Sequence, residues 1–344
     1  VKVAPLVQAV SPESFESLAA CWADPGSRLH WPNVFVLPAW LKAWWEVFGA
    51  GAELWLASVR SGRELIGLAP LQIRGGEASF VGGPDVCDYQ DFVVQPGREA
   101  EFFDLLLDQL QAEGVARLDL GALRPESTVL NHLVGLARER GWPVSLEPEG
   151  TTLELDLPGT WDQYLAMLNG KQRHEIKRKL RRLEEAAEFS YRVVDDPEQV
   201  GRAMPVFLKL FRESRQDKTT FMTTPMEAFF NLLAGALAEV GVLRLGFLDL
   251  NGRPAAAVMC FDFDGAIFLY NSGFDPDLSS LSPGIICKVL SLRDGLERGR
   301  SRYDFLKGAE AYKHRLGGRE VPLSRCRIVL DRAGSGSRPK ERVR

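Results

Sequence analysis

Apolar positions recur along this chain at two spacings, and the changes of spacing mark where the backbone changes form. "PAWLKAWWEVFG" (38–49) spaces its large residues three and four apart, as an amphipathic helix does. "REAEFFDLLLDQLQAEG" (98–114) and "PESTVLNHLVGLARERG" (125–141) behave alike. Each ends on glycine, which takes the left-handed conformation that closes a helix. "PEQVGRAMPVFLKLFRESR" (197–215) and "TPMEAFFNLLAGALAEVG" (224–241) are a helical pair in the second half, and Pro205 is expected to kink or split the first of them. Elsewhere the apolar runs are short. Turns such as "SGR" and "NGR" separate them, because Gly and Asn tolerate the positive φ of tight hairpins.

Two of these strand regions resemble each other. Residues 54–85 and 243–275 align at an offset of 190, which sets Gly62 on Gly252, Arg63 on Arg253, Gly75 on Gly265, Gly83 on Gly273 and Asp85 on Asp275. After an intervening helix the likeness resumes at an offset of 185, "GVARLDL" (114–120) against "GRSRYDF" (299–305), with Asp119 opposite Asp304. Each half therefore reads strand–strand–strand–helix–strand, the order expected of an internal duplication. It is not the alternation of a doubly wound parallel sheet.

The junction "GAIFLYNSGFDPDLSSLSPGIICK" (265–288) starts as a strand and ends as a helix, with a long loop of small and polar residues between. Ser282, Pro283 and Gly284 stand at the helix start. Ser282 suits a cap, Pro283 the first turn, and Gly284 a close backbone approach. Such a start is either an ordinary capped helix or a seat for an anion such as pyrophosphate. The first half has no such junction; "DVCDYQDFVVQPGREAEF" inserts a further strand-like run instead.

Charge adds one feature. "NGKQRHEIKRKLRRLEEAA" (169–187) buries a stripe of Ile176, Leu180, Leu183 and Ala187, and sets Lys171, His174, Arg178, Arg181 and Arg182 on another face. The plain reading is a solvated face balanced by Glu184, Glu185 and Glu188; the functional one is a wall for phosphate groups. The whole chain carries a net charge of −4, and this basic helix lacks interleaved aromatic residues, which argues against DNA as a partner.

Its 344 residues favour two domains, and 45% hydrophobic content is enough for full cores. The division expected is 1–150, 151–330 and a disordered basic tail, 331–344. The five cysteines form no C-x-x-C pair, so neither a disulfide framework nor a metal site is expected. The first residues lack the apolar region of a signal peptide, and the apolar stretch near 228–248 is broken by Glu239, Gly241 and Arg244. A cytoplasmic protein without a transmembrane segment is the expectation. "HEIKR" is not a zinc-binding H-E-x-x-H, because Arg178 holds the second His position. Neither a Walker G-x-x-x-x-G-K-S/T nor a G-x-S-x-G elbow occurs.

"YDFLKGAEAYKHRLGG" (303–318) is the most specific stretch. "DFLKGAEAYK" resembles the "DFLRGDEPYK" of CelD-like acetyltransferases, and "Y-K-x-x-L-G-G" resembles the F-K-x-x-F-G-G of FemAB/FemX-like transferases. "KQRHEIKRK" is similar to a K-x-R-x-x-I/L-R/K-R/K segment of the CelD-like family. With the element order, the chain over about 30–330 resembles a tandem GNAT-superfamily acyltransferase of the CelD/BcsL-like (BioF-like) kind. The usual R/Q-x-x-G-x-G/A signature is absent, and the SPG junction stands in its place.

The resemblance implies an α+β fold of tandem duplicated GNAT-like domains, each a mixed, mainly antiparallel sheet flanked by helices, with the cofactor loop lost from the first. It implies acetyl-CoA or another acyl-CoA as donor, no metal, and a sugar or nucleotide-sugar acceptor in exopolysaccharide or envelope assembly. Donor-binding residues would be Ser282, Pro283, Gly284, Tyr270, Asn271, Lys171, Arg173 and Arg178. Acyl transfer from a thioester needs a base for the acceptor, an acid for the thiolate and donors for the oxyanion. Tyr312 is the acid expected, Lys313 a charge near the carbonyl or a phosphate, and His174, Asp304 and Glu310 the candidate bases or orienters. Two alternatives stand beside this: a FemX-like transferase using aminoacyl-tRNA and a peptidoglycan precursor, and a non-catalytic acyl-CoA or sugar-nucleotide binding protein.

Overall fold

The computed structural model describes residues 8–330; the tail at 331–344 lies outside them. In chain order the elements are β1 (Gln8–Pro12), α1 (Phe15–Ala23), α2 (Pro38–Phe48), β2 (Glu53–Ser61), β3 (Glu64–Arg74), β4 (Glu77–Phe80), β5 (Val93–Val94), α3 (Glu99–Ala112), β6 (Arg117–Leu123), α4 (Val134–Glu139) and β7 (Val144–Asp156). There follow α5 (Trp161–Met167), α6 (Gly170–Ala186), β8 (Phe189–Val194), α7 (Pro197–Ser214), α8 (Gln216–Phe221), α9 (Thr224–Glu239), β9 (Leu243–Leu250), β10 (Arg253–Phe263), β11 (Ala266–Phe274), α10 (Pro283–Glu297), β12 (Arg302–Lys307), α11 (Ala311–Arg315) and β13 (Arg319–Val329).

The chain folds as two units. The first holds residues up to Pro38, Gly49–Glu149 and Leu323 onward; the second holds Ala39–Phe48 and Gly150–Pro322. Two segments thus lie on the other side of a cut near residue 150. Helix α2 belongs with the second unit because Trp40, fully buried, packs on Phe229, Phe261 and Tyr270. The end of β13 belongs with the first because Ser324–Val329 pairs with β6.

Each unit carries a mixed sheet of the same order. In the first, β1, β2, β3 and β4 are antiparallel neighbours, β4 runs parallel to β6, and β6 is antiparallel to β13. In the second, β8, β9, β10 and β11 are antiparallel, β11 runs parallel to β12, and β12 is antiparallel to β7. The duplicated order expected from the sequence is therefore present, but its hairpin offset is corrected by one. Arg74 pairs with Glu77 as Phe263 pairs with Ala266, so the turns overlay at 189 residues (74 to 263), and Gly76, not Gly75, corresponds to Gly265. The parallel ladders keep the offset of 185, Arg117 matching Arg302.

Each unit has its own core. Phe92, Phe102, Phe103, Leu106 and Leu110 pack under the first sheet. Leu153, Ile176, Leu248, Ile286, Leu292 and Tyr303 pack under the second. Strand β9 is buried along its whole length, so its two charged residues are paired: Arg244 with Asp294 at 2.8 Å and Asp195 at 3.2 Å, and Asp249 with Arg192 at 2.6 Å. Helix α7 runs through Pro205 as a single element and is not split. It lies hard against β11 at Gly273, where a Cβ would sit 2.3 Å from the Phe211 nitrogen and 2.4 Å from the Leu210 carbonyl carbon.

Backbone cannot rotate away as a side chain can. Gly273→Ala is therefore expected to cost about 3 kcal/mol, the upper end for overpacking, read as a drop in the denaturant midpoint. An equal cost from Ala at an open, exposed position such as Gly170 would show that the α7 contact does not matter.

Candidate functional site: an opening between two parallel strands

The second unit's parallel ladder is short. Ala266, Ile267 and Phe268 pair with Arg302, Tyr303 and Asp304; β11 then continues to Phe274 and β12 to Lys307 with no further pairing between them among the described residues. The cause lies in β12. Leu306 has φ 63°, and the register with β7 shifts between Asp304 and Leu306. The Asp304 carboxylate, fully buried, accepts from the Leu306 N–H at 2.8 Å and holds this kink. Past the kink, Lys313 is 2% exposed. Its Nζ donates to the carbonyls of Leu306 (3.0 Å), Lys307 (2.6 Å) and Gly308 (3.0 Å) and meets Glu310 Oε2 at 2.9 Å. Burial works against ionisation of Glu310, but the hydrogen bond and charge of Lys313 outweigh it and hold the carboxyl below its usual range.

Three side chains gather at the open end of β11. Tyr312, half-buried on α11, has no hydrogen-bond partner for its hydroxyl among the described residues, and burial raises its phenol well above the usual range. Lys288 on α10 is 7% exposed, donates to Gly284 O at 3.2 Å and lies 4.9 Å from the centre of the Tyr312 ring. Burial pushes its ammonium down to about 8. Lys218 on α8 donates to Ser272 O of β11 and lies 4.7 Å from the centre of the Phe211 ring. Burial first, then the charge of Lys288, brings it down to about 8 as well.

Helix α10 begins at Pro283 as expected, but Ser282 does not cap it. Ser282 is left-handed (φ 57°), and its Oγ accepts from Lys179 of α6 at 2.8 Å. Gly284 is buried, and what approaches it closely is the Phe274 ring: a Cβ would lie 2.9 Å from it. Ile285 and Ile286 both donate to Ser282 O at 3.1 Å.

The other expected residues scatter. Arg173 turns back to Leu165 O at 3.3 Å, and Arg178 is held two-pronged by Glu175 at 2.9 Å. Lys171 and His174 are exposed without partners among the described residues. Tyr270 falls at the register shift opposite Met259 and Cys260, its ring stacked on Phe230 at 5.7 Å. Asn271 beside it is half-buried. Among the described residues no group of three or more His, Cys, Asp or Glu is arranged to hold a metal, and no helix is long and apolar enough to cross a membrane.

The sequence reading missed Lys179, Lys218 and Lys288. Lys288 left a signal: it is the one charge inside "PGIICKVLSL", on a helix otherwise apolar there. Lys179 was hidden among its basic neighbours, and Lys218, in "RQDKTTF", left none.

A sheet opening flanked by cations is the candidate site. Residues 170–314 match the model of a family described as an acetyltransferase (GNAT) domain. No curated protein matches the chain. Among solved structures, FemX is similar at 12% identity with a TM-score of 0.60, covering 92% of this chain and 96% of that one. L-PGS from Bacillus licheniformis is similar at 12% identity and a TM-score of 0.56 (85% and 92%). The C-terminal domain (DUF2156) of a putative lysylphosphatidylglycerol synthetase from Agrobacterium fabrum follows at 14% and 0.52 (77% and 81%). At these identities the likeness is one of fold.

Lys288 sets a pH dependence. Its pKa falls from 10.5 in the unfolded chain to about 8 in the folded one. Between those values the unfolded chain binds more protons, so stability rises with pH through that window, and the full cost is present below pH 8. Lys288→Met is expected to stabilise the protein below pH 8 by up to about 3 kcal/mol, less any packing lost, with the gain fading towards pH 10.5. A variant-minus-wild-type difference that stays flat with pH would contradict this.

Proposed function

We propose that the second unit transfers an acetyl or other acyl group from acyl-CoA to an amine or hydroxyl. The observation that carries the reading is the opening between β11 and β12, with Lys288 and Tyr312 at one side and the Lys179–Ser282 pair at the start of α10. An extended thioester laid between strands has its carbonyl near unpaired backbone, and its phosphates reach a helix start reinforced by a lysine. The first turn of α10 presents Gly284 N–H, since Pro283 has none and the next two amides bond Ser282 O.

Each site group then has a task. The acceptor nitrogen or oxygen attacks the thioester carbon, the C–S bond breaks, and the acceptor's proton leaves as the thiolate gains one. Tyr312 keeps its proton in this environment, so it serves as hydrogen-bond donor to the developing charge more readily than as proton source. Lys288, with a pKa of about 8, is the better match to a proton donor working near neutral pH. Lys313 is a positioning residue in this reading, because its ammonium is already surrounded by acceptors. Reduced, free cysteines agree with a cytosolic setting, where acyl-CoA is found. A sugar-linked acceptor of exopolysaccharide or envelope assembly is what the family resemblance suggests.

A second reading, transfer from aminoacyl-tRNA, draws on the exposed face of α6. There Lys171, Lys177 and Arg182 have no partner among the described residues. Thiol release from acetyl-CoA over an amine and sugar-amine panel tests the first reading, and charged tRNA with the same acceptors tests the second. With acetyl-CoA, Lys179→Ala is expected to raise the donor KM about tenfold at unchanged kcat. Lys288→Met should lower kcat about 10²–10⁴-fold and remove the limb near pH 8 from the pH profile of kcat/KM, which reports the free protein. Tyr312→Phe should lower kcat and leave that limb in place. Product formed from charged tRNA but never from acetyl-CoA would replace the first reading by the second.

A further inference from the structure

The second unit gathers more positive charge, buried at Lys288 and Lys313 and half-buried at Lys218, than its neighbouring carboxylates balance. Lys218, Lys288 and Lys313 come from three helices, α8, α10 and α11, and Glu310 is the carboxylate that acts on both Lys218 and Lys288. That carboxylate is already in contact with Lys313 at 2.9 Å. Arg215 adds a further charge and is paired outward with Asp217 at 2.8 Å. Lys218 and Lys288 repel each other across the open end of β11. Each ammonium keeps donors to spare, since among the described residues one carbonyl accepts from each: Ser272 O for Lys218 and Gly284 O for Lys288. The Phe211 and Tyr312 rings flank them. Two like charges held this way favour an anion between them.

We propose that Lys218 and Lys288 together bind a carboxylate or phosphate of the acceptor, so that the molecule acylated is an amine bearing its own anionic group. This rests on the acyl-transfer reading above and deepens it. The donor's phosphates have their own place at Lys179 and Ser282, by the start of α10. Lys288 stands a helical turn further along, beside Tyr312, where the reacting ends meet. A second anion position there belongs to the second substrate. Among the described residues the titratable groups acting on the pair are Glu310, Lys313, Arg215 and Asp217, the Tyr312 phenol beside Lys288, and the un-ionised thiols of Cys260 and Cys287. An arriving anion restores full protonation of both lysines, so its binding near pH 8 draws in protons.

Two measurements test this on the intact protein. The first is calorimetry at pH 8 with inorganic phosphate and with malonate, each in two buffers of different ionisation enthalpy. Proton uptake is expected in the wild type, is lost in Lys218→Met, and is kept at least in part in Lys218→Arg, which retains the charge; thermal midpoints confirm that both variants are folded. Binding without proton uptake, or uptake unchanged in Lys218→Met, overturns the proposal. The second compares thiol release with glycine against glycinamide, and with 2-aminoethyl phosphate against ethanolamine. The anionic partner of at least one pair is expected to have a kcat/KM at least tenfold higher, and which pair responds tells carboxylate from phosphate. Lys218→Met should level that ratio through the acceptor KM and leave the donor KM alone. Equal rates within both pairs overturn the proposal while leaving acyl transfer intact. Proton uptake with no thiol release from any amine leaves the anion site standing and removes the acyl-transfer reading.

Discussion

The Lys313 ammonium is the contact on which the shape of the second unit's strand opening depends. A lysine at 2% exposure is costly unless every donor is used, and here three carbonyls and a carboxylate surround it. Those carbonyls belong to consecutive residues at the end of β12, where the backbone has parted from β11 and stays paired with β7. β7 thus holds one edge of that strand end. With the ammonium in place it becomes a fixed frame, and α11, which carries both Lys313 and Tyr312, is anchored to it. Asp304 holds the near side of the kink and Lys313 the far side, so the divergence of β12 from β11 is built in.

The first unit makes the same kink and closes it differently. Ala122 in β6 has φ 54°, as Leu306 in β12 has φ 63°, and each strand shifts register with its antiparallel neighbour close by. Asp119 stands where Asp304 stands, yet its carboxylate pairs with Arg325 at 2.7 Å, and Glu149 joins Arg325 at 2.8 Å. This half-buried ion-pair network pairs each of its charges and leaves none over. The duplication kept the backbone irregularity in both halves. A buried lysine clamp accompanies it in the second.

How much of this was legible follows from which signals are local. Helix spans and hairpins were, because periodicity and turn residues act over a few positions: α6 was expected at 169–187 and runs Gly170–Ala186, with Ile176 and Leu183 buried as read. The one-residue error in the repeat came from aligning glycines, when the register is set by which residues flank the turn. Exchange of β13 and α2 between the units was illegible, since nothing in "LSRCRIVL" or "PAWLKAWW" names its partner. Tyr312 and Lys313 were singled out through a motif, but the motif could not say that the Lys313 ammonium is enclosed by acceptors while the Tyr312 hydroxyl is not. Lys218 meets Ser272 across the fold, and no sequence spacing brings those two together.

The candidate bases deserve a physical reckoning, because none of them suits the task. Glu310 is held ionised by Lys313 and is a weak proton acceptor; Asp304 is committed to the Leu306 N–H; His174 is exposed on α6. An amine acceptor nonetheless has to shed a proton to attack. In the acyl-transfer reading proposed above, an amine brought among Lys218, Lys288 and Lys313 needs no separate base, since burial and nearby positive charge both disfavour its ammonium form. Burial is the larger part of what lowers Lys218, and the charge of Lys288 comes second. A hydroxyl gains much less, because it has no positive form to destabilise at neutral pH. In the proposed reading, burial beside positive charge therefore favours an amine over a hydroxyl as acceptor.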